Sequence, residues 1–189
     1  IRPQLDLQMV FEATGRFVPN EFLHALGRER ITEVTLGDFI QREVTVMFAD
    51  IRDYTGLAES MTPEDNYRFV NAFHGRIGPV IIKNHGFVNQ YLGDGVMALF
   101  PALPADALQA AVAMQIAMQN YNQDRLIQGR RTLEIGIGLH IGPLIMGIIG
   151  DSRRMDAATI ADAVNTASRL ESLTKYYGAK IVLSDDTHD

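Results

Sequence analysis

Two short apolar runs in the middle of the chain constrain the fold more than any other feature. They are Phe87–Leu92 and Val96–Phe100, and Gly93-Asp94-Gly95 separates them. An Asp-Gly pair between apolar runs is a strong signal for a β-hairpin, because glycine and aspartate tolerate the backbone conformations of tight hairpin turns. The sequence therefore predicts two antiparallel strands here, and a fold whose sheet contains at least this antiparallel pair.

Helical patterns lie on both sides of this hairpin. Thr62-Pro63 marks a helix start, and the residues that follow are apolar at helical spacing until Gly86. Further helices are predicted over 104–121 and 162–176, strands over 44–49 and 180–183, and a second hairpin over 133–141 and 144–149 around Gly142-Pro143. This order predicts an α+β, ferredoxin-like sandwich with a mostly antiparallel sheet flanked by helices.

Residues 1–40 differ from the rest, and we interpret them as an N-terminal linker or transducer segment with a short amphipathic helix after Pro19. A helix that simply packs on the domain is an equally good interpretation. Residues 41–189 form the α+β domain. The first residue is Ile1, so we expect the chain to be a fragment of a larger protein.

Composition excludes several classes of protein. The chain has 189 residues, 47% of them hydrophobic, which suits one core. Its net charge of −6 argues against a nucleic-acid-binding surface, and the absence of cysteine excludes disulfides and Cys-ligated zinc. No apolar run is long enough to span a bilayer, and no signal peptide opens the chain. We expect a cytoplasmic domain.

Two aspartates are candidate metal ligands. Asp50 ends the first predicted strand, and Asp94 lies at the tip of the first hairpin. If that hairpin pairs with the first strand, both carboxylates meet at one edge of the sheet. Magnesium prefers such oxygen ligands, and two carboxylates can hold two ions. Each aspartate alone also has an ordinary explanation, since aspartates often end strands and fill Asp-Gly turns.

Two other groups of polar residues have the chemistry to bind phosphate. The loop containing Asp53, Tyr54 and Thr55 leads into a helix, whose first backbone amides can cradle an anion. Asn165 and Arg169 lie four residues apart on one helix face, where an amide and a guanidinium could hold a ribose and a phosphate. An ordinary connecting loop and a solvated helix face are the alternatives, and from spacing alone they are preferred.

Three segments together resemble the signatures of class III adenylyl and guanylyl cyclases. The segment 48–55, FADIRDYT, is similar to the first signature, 86–100, GFVNQYLGDGVMALF, to the second, and 162–171, DAVNTASRLE, to the third. The match runs from about residue 42 to the end, with the three segments in the family's order. It implies the class III cyclase fold.

The resemblance also implies an enzyme, a phosphorus-oxygen lyase of intracellular signalling. In the implied reaction, the 3′-hydroxyl of a nucleoside triphosphate attacks the α-phosphate of the same molecule, and pyrophosphate is released. By the resemblance, Asp50, Asp94 and the Ile51 carbonyl bind two Mg²⁺ or Mn²⁺ ions, Asn165 positions the ribose, and Arg169 stabilises charge on the α-phosphate. The family forms head-to-tail dimers, so a homodimer would take the aspartates from one protomer and Asn165 and Arg169 from the other.

The positions that read the base depart from the family pattern. Gln90 stands where adenylyl members usually have lysine, and Ala158, with Thr159 beside it, where they have Asp or Thr. Guanylyl members use Glu and Cys there. Because the guanine pattern is absent, we expect ATP as the substrate and cyclic AMP as the product, with GTP or another nucleoside triphosphate as the alternative. The family's triphosphate-binding lysine is expected beyond residue 189, in a C-terminal part that this chain lacks.

Two other functions stay open. A cyclase-like domain without turnover could serve as a dimerisation or nucleotide-sensing module, which the altered base-reading positions favour. A nucleic-acid-binding ferredoxin-like domain is allowed by the fold, but the acidic charge argues against it. In either cyclase interpretation we expect an upstream sensor or membrane domain in the parent protein.

Overall fold

The computed structural model describes residues 9–10 and 12–188. The described residues form two compact units: the first comprises those up to Arg42 together with Pro143–Ala161, and the second comprises Glu43–Gly142 together with those from Asp162 onward. The first unit is thus built from two separate stretches of chain. The division near residue 40 into a linker and a domain remains a prediction.

Helices and strands follow one another in an α+β order. They are α1 (Asn20–Ala25), β1 (Phe39–Ile51), α2 (Tyr54–Glu59), α3 (Pro63–Lys83), β2 (Phe87–Leu92), β3 (Gly95–Phe100), α4 (Pro104–Ile127), β4 (Ile135–Gly150), β5 (Met155–Ile160), α5 (Asp162–Tyr177), β6 (Ile181–Leu183) and α6 (Asp185–His188).

In the second unit the strands are hydrogen-bonded in the order β2-β3-β1-β4. β2 and β3 form the predicted hairpin, and β3 also pairs antiparallel with β1, so that Ala49 lies opposite Val96. β6 joins the first part of β4 as a parallel neighbour, with Ile137 opposite Ile181. The predicted mostly antiparallel sheet with flanking helices is confirmed.

Helices α3 and α4 cover this sheet. Thr62 caps α3 as predicted, because its hydroxyl accepts a hydrogen bond of 3.1 Å from the Asp65 amide. The apolar face of α3 packs into the core with side chains from α4, β1, β3 and β4; fully buried members include Phe73, Ile77, Met114, Ile137 and Leu139. The core thereby fixes the edge of the sheet at which Asp50 and Asp94 lie.

The C-terminus of α4 lies six residues beyond the predicted end at Tyr121. Gly129 follows it in the left-handed conformation, with φ of 67°. The Arg130 amide donates to the Arg125 carbonyl at 2.8 Å and the Gly129 amide donates to the Leu126 carbonyl at 3.0 Å, which is the Schellman arrangement. The chain therefore folds back over the end of its own helix.

The predicted second hairpin around Gly142-Pro143 is wrong, because Ile135–Gly150 is one strand. Pro143 lies between the residues of β4 that pair with β6 and those that pair with β5, so its missing amide leaves no ladder hydrogen bond unmade on that side. The chain reverses instead at 151–154. Asp151 organises that turn, since its carboxylate accepts hydrogen bonds from the amides of Arg153 and Arg154.

In the first unit, the second part of β4 pairs antiparallel with β5, and α1 begins directly after Pro19 as predicted. Arg28 makes two hydrogen bonds to Asp38, at 3.1 and 3.0 Å, and these with the Thr35 contacts lower the pKa of Asp38 to about 2.

No helix in the described part of the chain combines the length and the apolar character needed to cross a bilayer.

Candidate functional site

Asp50 and Asp94 lie side by side because of the pairing of β1 with β3. Ala49 is opposite Val96, so the residue after Ala49 and the turn before Gly95 reach the same edge of the sheet. The Ile51 amide donates to Asp94 Oδ2 at 3.3 Å, which fixes the Asp94 carboxylate against the end of β1. The structure therefore brings together the two carboxylates in the way their positions in the sequence predict.

The electrostatics of this pair suit a bound cation. Burial, with the hydrogen bond and the negative charge of Asp50, raises the pKa of Asp94 well above its ordinary range. Asp50 Oδ1 is buried and has no hydrogen-bond partner among the described residues. No group of three or more His, Cys, Asp or Glu side chains that could hold a metal occurs in residues 9–10 and 12–188. A hard ion held by two carboxylates and a carbonyl fits this donor set.

A cavity of about 550 Å³ opens in front of the aspartates. Asp50, Ile51 and Asp94 line it together with the loop 53–56. Asp53 has φ of 54°, a conformation uncommon for a residue other than glycine, and it directs the chain from β1 into α2. All three predicted phosphate-binding residues, Asp53, Tyr54 and Thr55, therefore face the same space as the carboxylates.

The Tyr54 side chain has a structural role. Its hydroxyl donates to Asn66 Oδ1 at 2.7 Å, and its ring stacks on Phe69 with centroids 6.5 Å apart. These contacts anchor α2 to α3. What the loop offers a ligand at this position is therefore backbone, not the phenol.

Two cations of the cavity were not predicted from the sequence. Arg131, in the loop after α4, and Lys175, near the end of α5, both line it. Arg131 lies 3.7 Å from the Asp53 carboxylate in an exposed ion pair. Neither residue belongs to a local pattern that indicates a site, because each reaches the cavity only through the tertiary fold. Together they place positive charge beside an acidic centre.

Arg52 connects the end of β1 with the end of α5. Its guanidinium donates to the carbonyl of Thr174 at 3.0 Å and to the carbonyl of Ala179. Glu171, on the same helix, is 7% exposed, and its Oε1 atom has no partner among the described residues. Burial and the nearby Asp50 charge raise the pKa of Glu171. Arg52 therefore links the C-terminal end of α5 to the end of the strand that carries Asp50, and Glu171 lies near enough to Asp50 for its pKa to respond to that charge.

His74 lies under the turn that carries Asp94. Its Nε2 lies 2.7 Å from the Gly93 carbonyl, so the Nε2–H tautomer donates there. The ring also packs against Tyr91, with centroids 4.3 Å apart, and burial lowers its pKa. The neutral imidazole is thus part of the support of the turn.

Asn165 and Arg169 lie apart from this cavity in the same chain. Both are exposed on α5, they do not line the cavity, and neither side chain makes a hydrogen bond or an ion pair with the described residues. Gln90 is exposed on β2, opposite Met97. Ala158 and Thr159 lie on β5, in the first unit. One chain therefore does not bring Asn165 and Arg169 together with the aspartates.

The sequence matches the family described as the adenylate and guanylate cyclase catalytic domain over residues 40–189. It is 39% identical over 184 residues to an adenylate cyclase of Anabaena cylindrica, covering 95% of this chain and 37% of that protein. It is 35% identical over 189 residues to the terminal-differentiation specific adenylate cyclase of Dictyostelium discoideum, covering 96% and 9%. The chain spans well under half the length of these relatives.

Solved structures of cyclases share the fold. The adenylyl cyclase CyaB from P. aeruginosa is 30% identical, with a TM-score of 0.70 over 79% of this chain and 80% of that chain. The guanylyl cyclase Cya2 is 31% identical, with a TM-score of 0.68 over 78% and 77%. The prediction of a class III cyclase fold is confirmed.

Proposed function

Because this chain belongs to the adenylate and guanylate cyclase catalytic domain family, we propose that it converts ATP into 3′,5′-cyclic AMP and pyrophosphate. The observation that carries the proposal is the paired Asp50 and Asp94 at the mouth of a cavity that also presents Arg131 and Lys175. This arrangement combines oxygen ligands for divalent ions with cations for a triphosphate.

Asp50, Asp94 and the Ile51 carbonyl would hold two Mg²⁺ or Mn²⁺ ions. Such ions, when bound, favour the deprotonated 3′-hydroxyl and neutralise the leaving pyrophosphate. The protein supplies positioning and charge: Lys175 and Arg131 attract the triphosphate, while the loop containing Asp53, Tyr54 and Thr55 forms the wall of the cavity beside it. No covalent step on a side chain is required, so preorganised electrostatics dominate the mechanism.

We further propose that Asn165 and Arg169 act in the site of a second copy of this chain. Two exposed donors that have no partner among the described residues, outside the cavity of their own chain, support this assignment. In such a homodimer Asn165 orients the ribose. Arg169 stabilises the negative charge that develops on the α-phosphate, because a guanidinium offers several donors to phosphoryl oxygens.

The choice of ATP rests on the relatives and on Gln90. Both curated relatives described above are named adenylate cyclases, whereas a guanylyl cyclase structure is about as similar as an adenylyl one. The Gln90 amide both donates and accepts, which suits the adenine edge and also other bases. GTP is therefore the competing substrate, with Ala158 and Thr159 as the remaining residues of the proposed base-reading set.

The test is a nucleotide panel with matched variants. Purified protein with Mn²⁺ should form cyclic AMP from ATP, and Asp50→Asn or Asp94→Asn should reduce the rate about a thousandfold or more, since each removes a metal-binding charge. Asp124→Asn, an exposed aspartate of α4, is the control and should leave the rate unchanged. Mn²⁺ binding, measured by electron paramagnetic resonance, should fall in the first two variants only.

The panel also separates the competing functions. Cyclic GMP as the main product would identify GTP, and not ATP, as the substrate. ATP binding without a cyclic product from any of the four common nucleoside triphosphates would identify a nucleotide-sensing or dimerisation module. We propose that the domain works in the cytoplasm, where these nucleotides are abundant, under the control of a sensor or membrane domain of the parent protein.

A further inference from the structure

A second cavity, of about 570 Å³, is lined by four arginines, contributed by α3, by α4 and by the loop after α4. They are Arg68, Arg125, Arg130 and Arg131. The one carboxylate that lines it, Asp65, accepts a hydrogen bond of 2.7 Å from the Thr62 hydroxyl. In a chain with a net charge of −6, this cavity is a local concentration of positive charge.

Arg125 is the residue that the fold alone does not explain. It is 5% exposed, and the one hydrogen bond that its side chain makes among the described residues runs from Nε to the Arg131 carbonyl, at 2.6 Å. Its guanidinium lies 5.5 Å from the ring centres of Phe69 and Tyr121. No carboxylate of the described chain pairs with it. A buried cation without a counter-charge is unfavourable, and two aromatic rings offset only part of that cost.

The C-terminus of α4 explains how the arginines come together. The turn at Gly129 returns the chain over the last helical turn, which brings Arg130 and Arg131 next to Arg125. The helix dipole favours cations at this end, and that accounts for the exposed Arg130. It does not supply the missing counter-charge of the buried Arg125.

Two neighbouring acids pair with two of the four arginines, Arg68 and Arg131. Glu64 pairs with Arg68 at 2.6 Å on the exposed face of α3, and Asp53 lies 3.7 Å from Arg131. Arg125 and Arg130 line the cavity, and neither guanidinium forms an ion pair with the described residues. Guanidinium groups match the oxygens of phosphate in geometry and charge, and several of them suit a dianion better than a monoanion.

We propose that this arginine cavity is a binding site for a phosphate-bearing small molecule, adjacent to the cavity of Asp50 and Asp94, with which it shares Arg131. The phosphate contacts Arg125 and Arg130. Leu57 and Met61, on the wall of the cavity, offer an apolar surface to the rest of the ligand. Inorganic phosphate and the phosphate of a nucleotide share this chemistry, and the cavity has the size of small-molecule sites.

Calorimetric titration of the whole chain tests the proposal, with inorganic phosphate and adenosine monophosphate as probes in buffer containing EDTA. One site per chain is expected, and Arg130→Gln should weaken binding about tenfold, as for the loss of one charge-assisted hydrogen bond. Arg125→Met should weaken it further. Tighter binding of the nucleotide than of phosphate would identify a nucleotide as the source of the phosphate group.

The controls make each outcome decisive. Arg153→Gln, an exposed arginine that does not line the cavity, and Asp94→Asn should both bind the probes like the unmodified chain. Arg130 is exposed, so its variant gives a result even where Arg125→Met does not fold. Failure of both probes to bind at millimolar concentration overturns the proposal. Binding that is unchanged in both arginine variants, or lost in Asp94→Asn, also overturns it.

Discussion

Asp50 and Asp94 set two like charges close together in a partly buried place. Burial and proximity both disfavour the doubly charged state, which is why the pKa of Asp94 is raised. Such a pair does not stabilise the folded chain by itself. A polar arrangement that opposes stability, at the mouth of a cavity, is the residue-level sign of a binding function.

The same turn provides a test of how the Asp94 carboxylate is held. His74→Leu removes the donor to the Gly93 carbonyl and leaves that carbonyl unpaired, which should cost roughly 1–3 kcal/mol of stability. Because the turn then loses its support, Mn²⁺ affinity should also fall. His74→Gln keeps an N–H donor and should recover much of that affinity.

Thermal denaturation without metal and Mn²⁺ titration by electron paramagnetic resonance measure the two effects separately. Asn71→Ala, on the exposed side of α3, serves as the control: alanine favours the helix, so stability should not fall, and Mn²⁺ affinity should be unchanged. A His74→Leu protein that is less stable but binds Mn²⁺ as tightly as the unmodified chain would restrict His74 to a packing role.

Among the residues of the site, the sequence predicts those that belong to a local pattern. A strand end at Asp50 and an Asp-Gly turn at Asp94 are local patterns, and their convergence follows once β1 and β3 pair. Arg131 and Lys175 have no such pattern, because a single basic residue in a loop or on a helix usually faces solvent. Their place at the cavity depends on how α4 and α5 pack, which periodicity does not specify.

At the scale of secondary-structure elements, β4 and α5 pack against each other at very short range. A Cβ atom at Gly138 would overlap the backbone of Ala167 and of Glu171, so glycine permits the helix to lie directly on the strand. This contact also determines where Glu171 enters the core. The helix that carries Asn165 and Arg169 is therefore positioned by a residue without a side chain.

Gly138→Ala should be strongly destabilising. The added methyl meets main-chain atoms, which cannot move aside as a flexible side chain does, so we expect a loss of about 1–3 kcal/mol or more. The melting temperature of a chain of this size should fall by about 2–4 °C for each kcal/mol.

Gly75→Ala is the matched control for that measurement. Gly75 lies inside α3, and no atom lies within 4 Å of a Cβ added there, so alanine should stabilise the helix by about 0.5–1 kcal/mol. Calorimetry measures the melting temperatures of both variants against that of the unmodified chain. Equal effects of the same sign would show that helix propensity or chain entropy, and not the close contact at Gly138, controls the outcome.

The strand β4 shows why element boundaries are harder to predict than element types. Gly142-Pro143 is a turn signal in most sequences, and it predicts a hairpin here. In the structure Pro143 lies at a change of pairing partner, between the residues that pair with β6 and those that pair with β5, and the strand continues through it. Such a position depends on which strands lie alongside, and a single strand's sequence does not contain that information.

For the whole molecule, the proposed function requires two copies. The residues proposed to bind metal and those proposed to stabilise the transition state lie on different surfaces of one chain, so a monomer would be inactive. Activity should therefore depend on protein concentration, as dimers form by mass action.

Mixing two inactive variants tests this directly. Asp50→Asn and Asn165→Ala should each lack activity, whereas a 1:1 mixture should recover about a quarter of the unmodified rate. Half of the dimers are then mixed, and each mixed dimer has one intact site and one doubly altered site. The readout is cyclic nucleotide formation after mixing and re-equilibration.

The matched control is a mixture of Asp50→Asn with Asp94→Asn. Both changes fall on the same side of the site, so this mixture should remain inactive. Recovery in the control, or no recovery in the first mixture while both variants remain folded and dimeric, would contradict a composite site.

The hydrogen bonds of Arg52 have a consequence for how two such sites would communicate. They tie the end of the strand that carries Asp50 to the C-terminal end of the helix that carries Asn165 and Arg169. In the proposed dimer, each protomer would give its aspartates to one site and Asn165 and Arg169 to the other. Arg52 would connect these two groups of residues rigidly within the protomer. Substrate binding at one site would then change the affinity for substrate at the second site, so that binding would be cooperative.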